Sequence, residues 1–211
     1  MSNLEKSLDG IRDAVRGAMQ SLARLLNRVS KGRLTPDTVT IIGLLAHIPI
    51  AYLIGKQQFI VAAILLIVFG LFDSLDGELA RLQKRASSSG MLLDASTDRM
   101  KEVILYSGVA YSLIASSQAY WAVWAVAACG GSLLVSYVKA KGETAVTGQR
   151  LTANEINRLF QDGLLRFEVR MAVLVVGLLA NQLALAIVVI AILSWYTAWW
   201  RLLSIRKKLT R

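Results

Sequence analysis

The chain has 211 residues, of which 55% are hydrophobic, and its mean hydropathy is +0.51. Water-soluble domains carry less apolar material, so the composition excludes an ordinary soluble fold and points to a single-domain membrane protein. Lysine and arginine exceed the acids by 24 to 14, a net charge of +10, but these bases are placed as membrane-flanking charges and exclude a nucleic-acid partner. One cysteine, Cys129, rules out an internal disulfide and reads as a small buried hydrophobe. The charged start is followed by no short apolar core with a cleavage site, so no cleavable signal peptide is expected.

Residues 1–30 have an amphipathic pattern. Leu4, Leu8, Ile11, Val15, Met19, Leu22, Leu26 and Val29 recur at steps of three and four, and Lys6, Arg12, Arg16, Arg24 and Arg28 fill the other faces. Such a helix lies in the headgroup layer. A nucleic-acid arm would need aromatic stacking groups, which the segment lacks. We therefore expect a juxtamembrane helix over 1–34 and a transmembrane domain over 35–211.

Thr35-Pro36-Asp37 opens the first span, about 37–55: Thr35 caps it, Pro36 suits its first position and Asp37 suits the positive end of the dipole. A second helix is expected over about 58–84. Its apolar part, residues 59–72, is short for a crossing, so its acidic turns continue it through the interface. Further helices follow over about 91–116, 119–141, 165–180 and 183–205. A polar loop over about 142–163 carries a capping-box pattern at Thr152 and Glu155. The fold class is thus all-α, with six transmembrane helices and an N-terminal interfacial helix. Arg81, Lys84, Arg85, Lys139, Lys141, Arg150, Arg158, Arg166, Arg170 and the tail bases fall on one side of this plan, with only Lys56 on the other. The positive-inside rule then puts both termini in the cytoplasm, in the cell (inner) membrane. Trp121, Trp195, Trp199 and Trp200 lie near span ends, as interfacial anchors do. His47 reads as a satisfied core residue, and Gly130-Gly131 as a place of close helix packing.

Four acids stand at the edge of the apolar runs: Asp73 and Asp76, then Asp94 and Asp98. Clustered anions there are tolerable only with a cation to neutralise them. At about 100° per residue, Asp76, Ala80 and Gly77 all fall within about 60° of Asp73. Two carboxylates and two nearly bare positions share a face, with Arg81 about 80° round and able to grip a phosphate with its fork. The short connection over 81–90 makes the next helix an antiparallel neighbour, so Asp94 and Asp98 can meet the first pair. An all-oxygen set favours Mg²⁺ or Mn²⁺ over zinc, and four acids suit two ions. Pairing with local bases such as Arg81 and Arg99 is the plain alternative, and a cation pathway another, although these acids lie at an edge and not at the midplane.

The run Asp73-x2-Asp76-Gly77-x2-Ala80-Arg81-x8-Gly90-x3-Asp94-x3-Asp98 resembles the signature of the CDP-alcohol phosphotransferase family at all eight positions. The resemblance implies transfer of a substituted phosphate from a CDP-linked donor to an alcohol hydroxyl, releasing CMP. It implies that Asp73, Asp76, Asp94 and Asp98 hold the metals and that Asp98 is also the general base. It further implies that Asp37, Thr38, Val39, Thr40, Gly77, Ala80, Arg81 and Ser87 contact the CDP donor, and that the protein is a homodimer.

The acceptor is read from four bases. Lys139, Lys141, Arg170 and Arg201 resemble positions that receive the phosphate of inositol 1-phosphate in the family's bacterial phosphatidylinositol-phosphate synthases. Ser136-Tyr137-Val138-Lys139-Ala140-Lys141 departs from that pattern in carrying a final Lys for Arg, which keeps charge but loses the bidentate fork. The expected reaction joins CDP-diacylglycerol and 1D-myo-inositol 1-phosphate. Glycerol 3-phosphate is the alternative acceptor. An intramembrane prenyltransferase and a small cation transporter are competing classes.

Overall fold

The computed structural model describes residues 3–146 and 167–209, without the side chains of 3–15, 73, 146, 208 and 209. The expected loop over 142–163, with Thr152, Glu155, Arg150 and Arg158, lies largely outside the described residues, as does Arg166. The fold is all-α, with no strand among the described residues. The helices are α1 (Asn3–Val29), α2 (Pro36–Gly55), α3 (Phe59–Gly70), α4 (Phe72–Leu82), α5 (Ser88–Ala115), α6 (Ala122–Val146), α7 (Phe167–Leu179) and α8 (Leu183–Leu209); a 3₁₀ turn, Ala119–Trp121, precedes α6.

Four stretches are long and apolar enough to cross a membrane: Pro36–Gly55, Phe59–Leu82, Ala119–Ala145 and Leu183–Lys207. Their outer faces expose Leu45, Ile48, Ile60, Ile64, Val126 and Ile192. Contiguous apolar surface of this kind suits hydrocarbon and not water, so the chain is a multi-pass membrane protein. The 28 residues of α5 are long enough to cross as well, but Asp94, Asp98, Arg99, Lys101 and Glu102 make its first half polar.

The expected helix over 58–84 is two helices. Gly70 ends α3, and Leu71 joins it to α4 through tightened i→i−3 bonds, Leu71 N–H to Val68 O at 3.3 Å and Ser74 N–H to Leu71 O at 3.1 Å. Glycine is the weakest helix former after proline, so the ladder loosens there.

The described chain forms two compact units, residues 1–49 with 64–101 and residues 50–63 with 102–211. In the first, α1 packs on α4. Ala23, Val39, Leu75 and Leu79 form its buried core, flanked by Met19, Leu26, Leu34 and Phe72. Lys31 and Gly32 turn the chain with positive φ. Gln83 then ties this turn to the end of α4, donating to Asn27 Oδ1 and to the Leu34 carbonyl, each at 2.8 Å. Thr35 caps α2 by accepting the Thr38 N–H at 3.2 Å. His47 is buried and bonded to the Gly43 carbonyl at 2.7 Å, the satisfied core residue that was expected.

In the second unit α8 packs on both α6 and α7. A Cβ on Gly131 would lie 3.0 Å from the Ser194 Cβ and from the Trp195 ring. The close approach of α6 and α8 there needs a glycine, as Gly130-Gly131 led us to expect. Trp195 secures the same crossing, its ring N–H reaching the Ala127 carbonyl at 2.9 Å.

Candidate active site

The candidate site is built on α4. Counting about 100° per residue, Leu75 and Leu79 share a side of the helix centred about 130° round from the face of Asp76, Gly77 and Ala80, with Asp76 at the edge between the two. Burying the leucines, 2% and 0% exposed, against Ala23 and Val39 turns the polar face the other way. That face borders a cavity of about 470 Å³ lined by residues of α2, α4 and the start of α5, among them Asp37, Thr40, Asp76, Gly77, Ala80, Arg81, Ser87 and Asp94.

Each wall is fixed by a local bond. The Thr40 hydroxyl donates to Asp76 Oδ2 at 2.5 Å, linking α2 to α4. Asp76 is 6% exposed, and this bond satisfies one of its oxygens. Ser87 accepts the Gly90 N–H at 3.1 Å and so caps α5. Gly90 has no side chain, and a Cβ there would sit 3.4 Å from the Ser87 hydroxyl and 3.9 Å from Asp37 Oδ1. The start of α2 thus lies close to the start of α5, at distances that are ordinary contacts. Arg81 donates to Glu78 from Nη2 at 2.6 Å and from Nε at 3.4 Å.

Of the residues expected to contact the donor, Asp37, Thr40, Gly77, Ala80, Arg81 and Ser87 share this cavity; Thr38 and Val39 do not line it. Val39, 2% exposed, belongs to the core. Arg85 lines the cavity too. It was read only as a flanking charge, and its signal was its place four residues beyond Arg81.

The acids divide. Asp76 and Asp94 border the cavity. Asp98, one turn further along α5, lies 3.2 Å from Lys101 Nζ through Oδ1 and 3.7 Å from Arg99 Nη2 through Oδ2. The side chain of Asp73 lies outside the described residues. Among the described residues no three acids, histidines or cysteines stand close enough to hold an ion. Pairing with local bases thus occurs at Asp98, through Arg99 and the unforeseen Lys101; Arg81 turns to Glu78.

The bases expected to bind the acceptor phosphate belong to the second unit. Arg170 is 1% exposed, and its Nε donates to Glu102 Oε1 at 2.6 Å. Arg201, 7% exposed, donates to the Val135 carbonyl at 3.1 Å. Lys139 lies 3.6 Å from Glu143, and Lys141 stands 5.8 Å over the Tyr137 ring. Fully buried Lys101 and Glu102 were missed because neither belongs to a motif. Their signal was charge two turns past Asp94 in a helix that soon becomes apolar.

Carboxylates, an arginine and capped helix ends thus surround one cavity in a helical membrane scaffold, an arrangement able to take a charged, phosphate-bearing ligand. Residues 33–205 match the model of the CDP-alcohol phosphatidyltransferase family, and the chain belongs to that family.

It is 28% identical over 202 residues to the archaetidylinositol phosphate synthase of Pyrococcus horikoshii, covering 96% of this chain and 98% of that one. It is 32% identical over 128 residues to the phosphatidylinositol phosphate synthase of Cutibacterium acnes, covering 58% of this chain and 62% of the relative. Crystal structures of the Mycobacterium tuberculosis phosphatidylinositol phosphate synthase are similar at 26% identity. The form with CDP-DAG bound has a TM-score of 0.74 and covers 89% of this chain and 92% of that one. The form with manganese and citrate has a TM-score of 0.75, with 89% and 88% covered.

Proposed function

We propose that the protein transfers a phosphatidyl group from CDP-diacylglycerol to 1D-myo-inositol 1-phosphate, forming phosphatidylinositol phosphate and CMP in phospholipid biosynthesis. The observation that carries this reading is the cavity itself. Six donor-contact residues implied by the family resemblance line it together with Asp76 and Asp94, in a chain similar to a synthase solved with CDP-DAG. Arg81 and the capped start of α5 offer donors to the diphosphate. Gly77 and Ala80 leave room for the nucleotide against the α4 backbone. Asp98 takes the proton of the acceptor hydroxyl as its oxygen bonds to the lipid phosphorus and the bond from that phosphorus to the CMP oxygen breaks. Lys139, Lys141, Arg170 and Arg201 bind the acceptor's phosphate.

Carboxylate and hydroxyl oxygens of Asp37, Thr40, Asp76 and Asp94 on one cavity, with no His or Cys among its lining, suit a hard divalent cation. We assign Asp73, Asp76, Asp94 and Asp98 as ligands of two such ions, Mg²⁺ or Mn²⁺. When bound, they supply charge neutralisation for the diphosphate and for the departing CMP. The likeness to a synthase solved with manganese supports this assignment.

We also assign six crossings, adding α5 and α7 to the four apolar stretches, and an interfacial segment over 1–34, which carries α1, preceding a catalytic domain over 35–211. Both termini and the cavity face the cytoplasm of the cell membrane, and the enzyme acts as a homodimer, as the family likeness implies. The relatives named above all carry inositol phosphate in their names, which disfavours glycerol 3-phosphate. A second reading concerns the donor: the relative matched over 98% of its length is an archaetidylinositol phosphate synthase, so a CDP-linked archaetidyl donor competes with CDP-diacylglycerol.

The test is CMP release by the purified protein with each donor against inositol 1-phosphate, glycerol 3-phosphate, serine and free inositol. Inositol 1-phosphate should be preferred by at least about 100-fold over free inositol, the discrimination expected when a site built to bond a substrate group meets an analogue lacking it, and a chelator should stop release. Preference for an acceptor lacking phosphate would overturn the role given to Arg170 and Arg201.

A further inference from the structure

We propose that Glu78 is a positioning residue for the donor site, holding the Arg81 guanidinium at the cavity while sharing its carboxylate with Arg16 of α1. The inference rests on the reading of Arg81 as a donor-binding group and extends it. Glu78 lies one turn before Arg81 and belongs to neither the acid quartet nor the family signature. Its side chain is only 9% exposed, against 59% for that of Arg81. Both of its oxygens engage the Nε and Nη2 edge of the arginine, at 3.4 Å and 2.6 Å. The two terminal nitrogens of Arg81 then lie 3.8 Å and 4.0 Å from the point where a Cβ on Gly77 would stand. The guanidinium is thus parked over the bare cavity-lining glycine.

A free arginine must lose rotamer freedom before its fork can grip a phosphate, and a held one has lost much of it already. An anion so close to a diphosphate site would ordinarily repel the ligand. Here Arg16 Nε stands 3.6 Å from the Oε1 atom that Arg81 also uses. A second, smaller cavity of about 190 Å³, lined by Gln20, Arg24, Glu78 and Arg81, adjoins the same pair. The carboxylate is bracketed by cations, so what it presents to a phosphate is orientation with little net repulsion. Arg16 and Glu78 also connect α1 directly to the side chain that meets the donor.

The experiment uses the full-length purified protein and the variants E78Q, R16A, R81A and E78Q/R81A, with kcat and KM measured separately for CDP-diacylglycerol and inositol 1-phosphate, and thermal unfolding alongside. E78Q should raise the donor KM by about 10-fold, leave kcat within about 2-fold and leave the acceptor KM unchanged. R16A should raise the donor KM by a smaller factor, about 2-fold to 3-fold. E78Q should add nothing in the R81A background, since its effect passes through that arginine. Full additivity in the double variant would overturn the proposal, as would a joint change in kcat and both KM values with a lowered melting temperature. If R81A raises the donor KM and E78Q does not, Glu78 has no positioning role and the donor-site reading stands. If R81A leaves the donor KM unchanged, the donor-site reading fails and the role of Glu78 fails with it.

Discussion

Asp98 has a lysine on one oxygen and an arginine further off the other, and this bears on how one carboxylate could serve both as ligand and as base. A carboxylate locked between metal ions is a poor proton acceptor. Side-chain cations draw on its charge too, but a single positive charge pulls less than a divalent ion at the same distance, and they fix its orientation. Asp98→Asn should therefore lower kcat by at least about 100-fold, the lower bound of general-base catalysis, while CDP-diacylglycerol still binds, as titration of the purified variant would show. Equal loss of binding would leave Asp98 a ligand alone. The four aspartates stood out in the sequence because their spacing and company are unusual. Lys101, Glu102 and Glu78 did not, because a single charge beside a motif has no periodicity of its own. Their meaning depends on which neighbour the fold supplies, Asp98 and Arg170 in two cases and two arginines in the third.

At the level of helices, hydrophobic runs and end signals carried nearly all of the information. Thr35 caps where it should, and the described helices start and stop within a few residues of their expected positions, the extended ends of α6 and α8 apart. The junction at Gly70 and Leu71 was not legible, since one glycine in an apolar run is as often tolerated as broken upon. Gly131 was legible as a packing position, but its partner was not: Ser194 and Trp195 lie more than sixty residues away. Gly131→Val should force α6 and α8 apart and cost about 1–3 kcal/mol, the range for overpacking a tight core, seen as a lower melting temperature in detergent with the donor KM unchanged. Unaltered melting would mean the crossing is not under steric constraint.

For the whole molecule, charge placement makes the firmest demand. Bases crowd the ends assigned to the cytoplasm, and Lys56 stands alone on the opposite side. With Cys129 replaced by alanine, single cysteines at position 2 and at position 211 should react with an impermeant thiol reagent only in inside-out vesicles, and one at position 56 only in right-side-out cells. Labelling of the two ends from opposite faces would require an odd number of crossings. Class, reaction type and cavity followed from composition and one motif. The acceptor did not, because bases just inside a membrane arise from topology as readily as from substrate recognition; Arg170 and Arg201 gain meaning only from their burial. The two-sidedness of α4 has a further consequence. Leucines occupy one flank and acids the other within three turns, so deleting a single residue between Asp73 and Ala80 would rotate everything downstream by about 100°. Side chains of the cavity face would swing toward the core of Ala23 and Val39, and leucines toward the cavity. Most point changes in this segment are survivable edits; a frame slip of one position is not, and chain length there is as strict a requirement as chemistry.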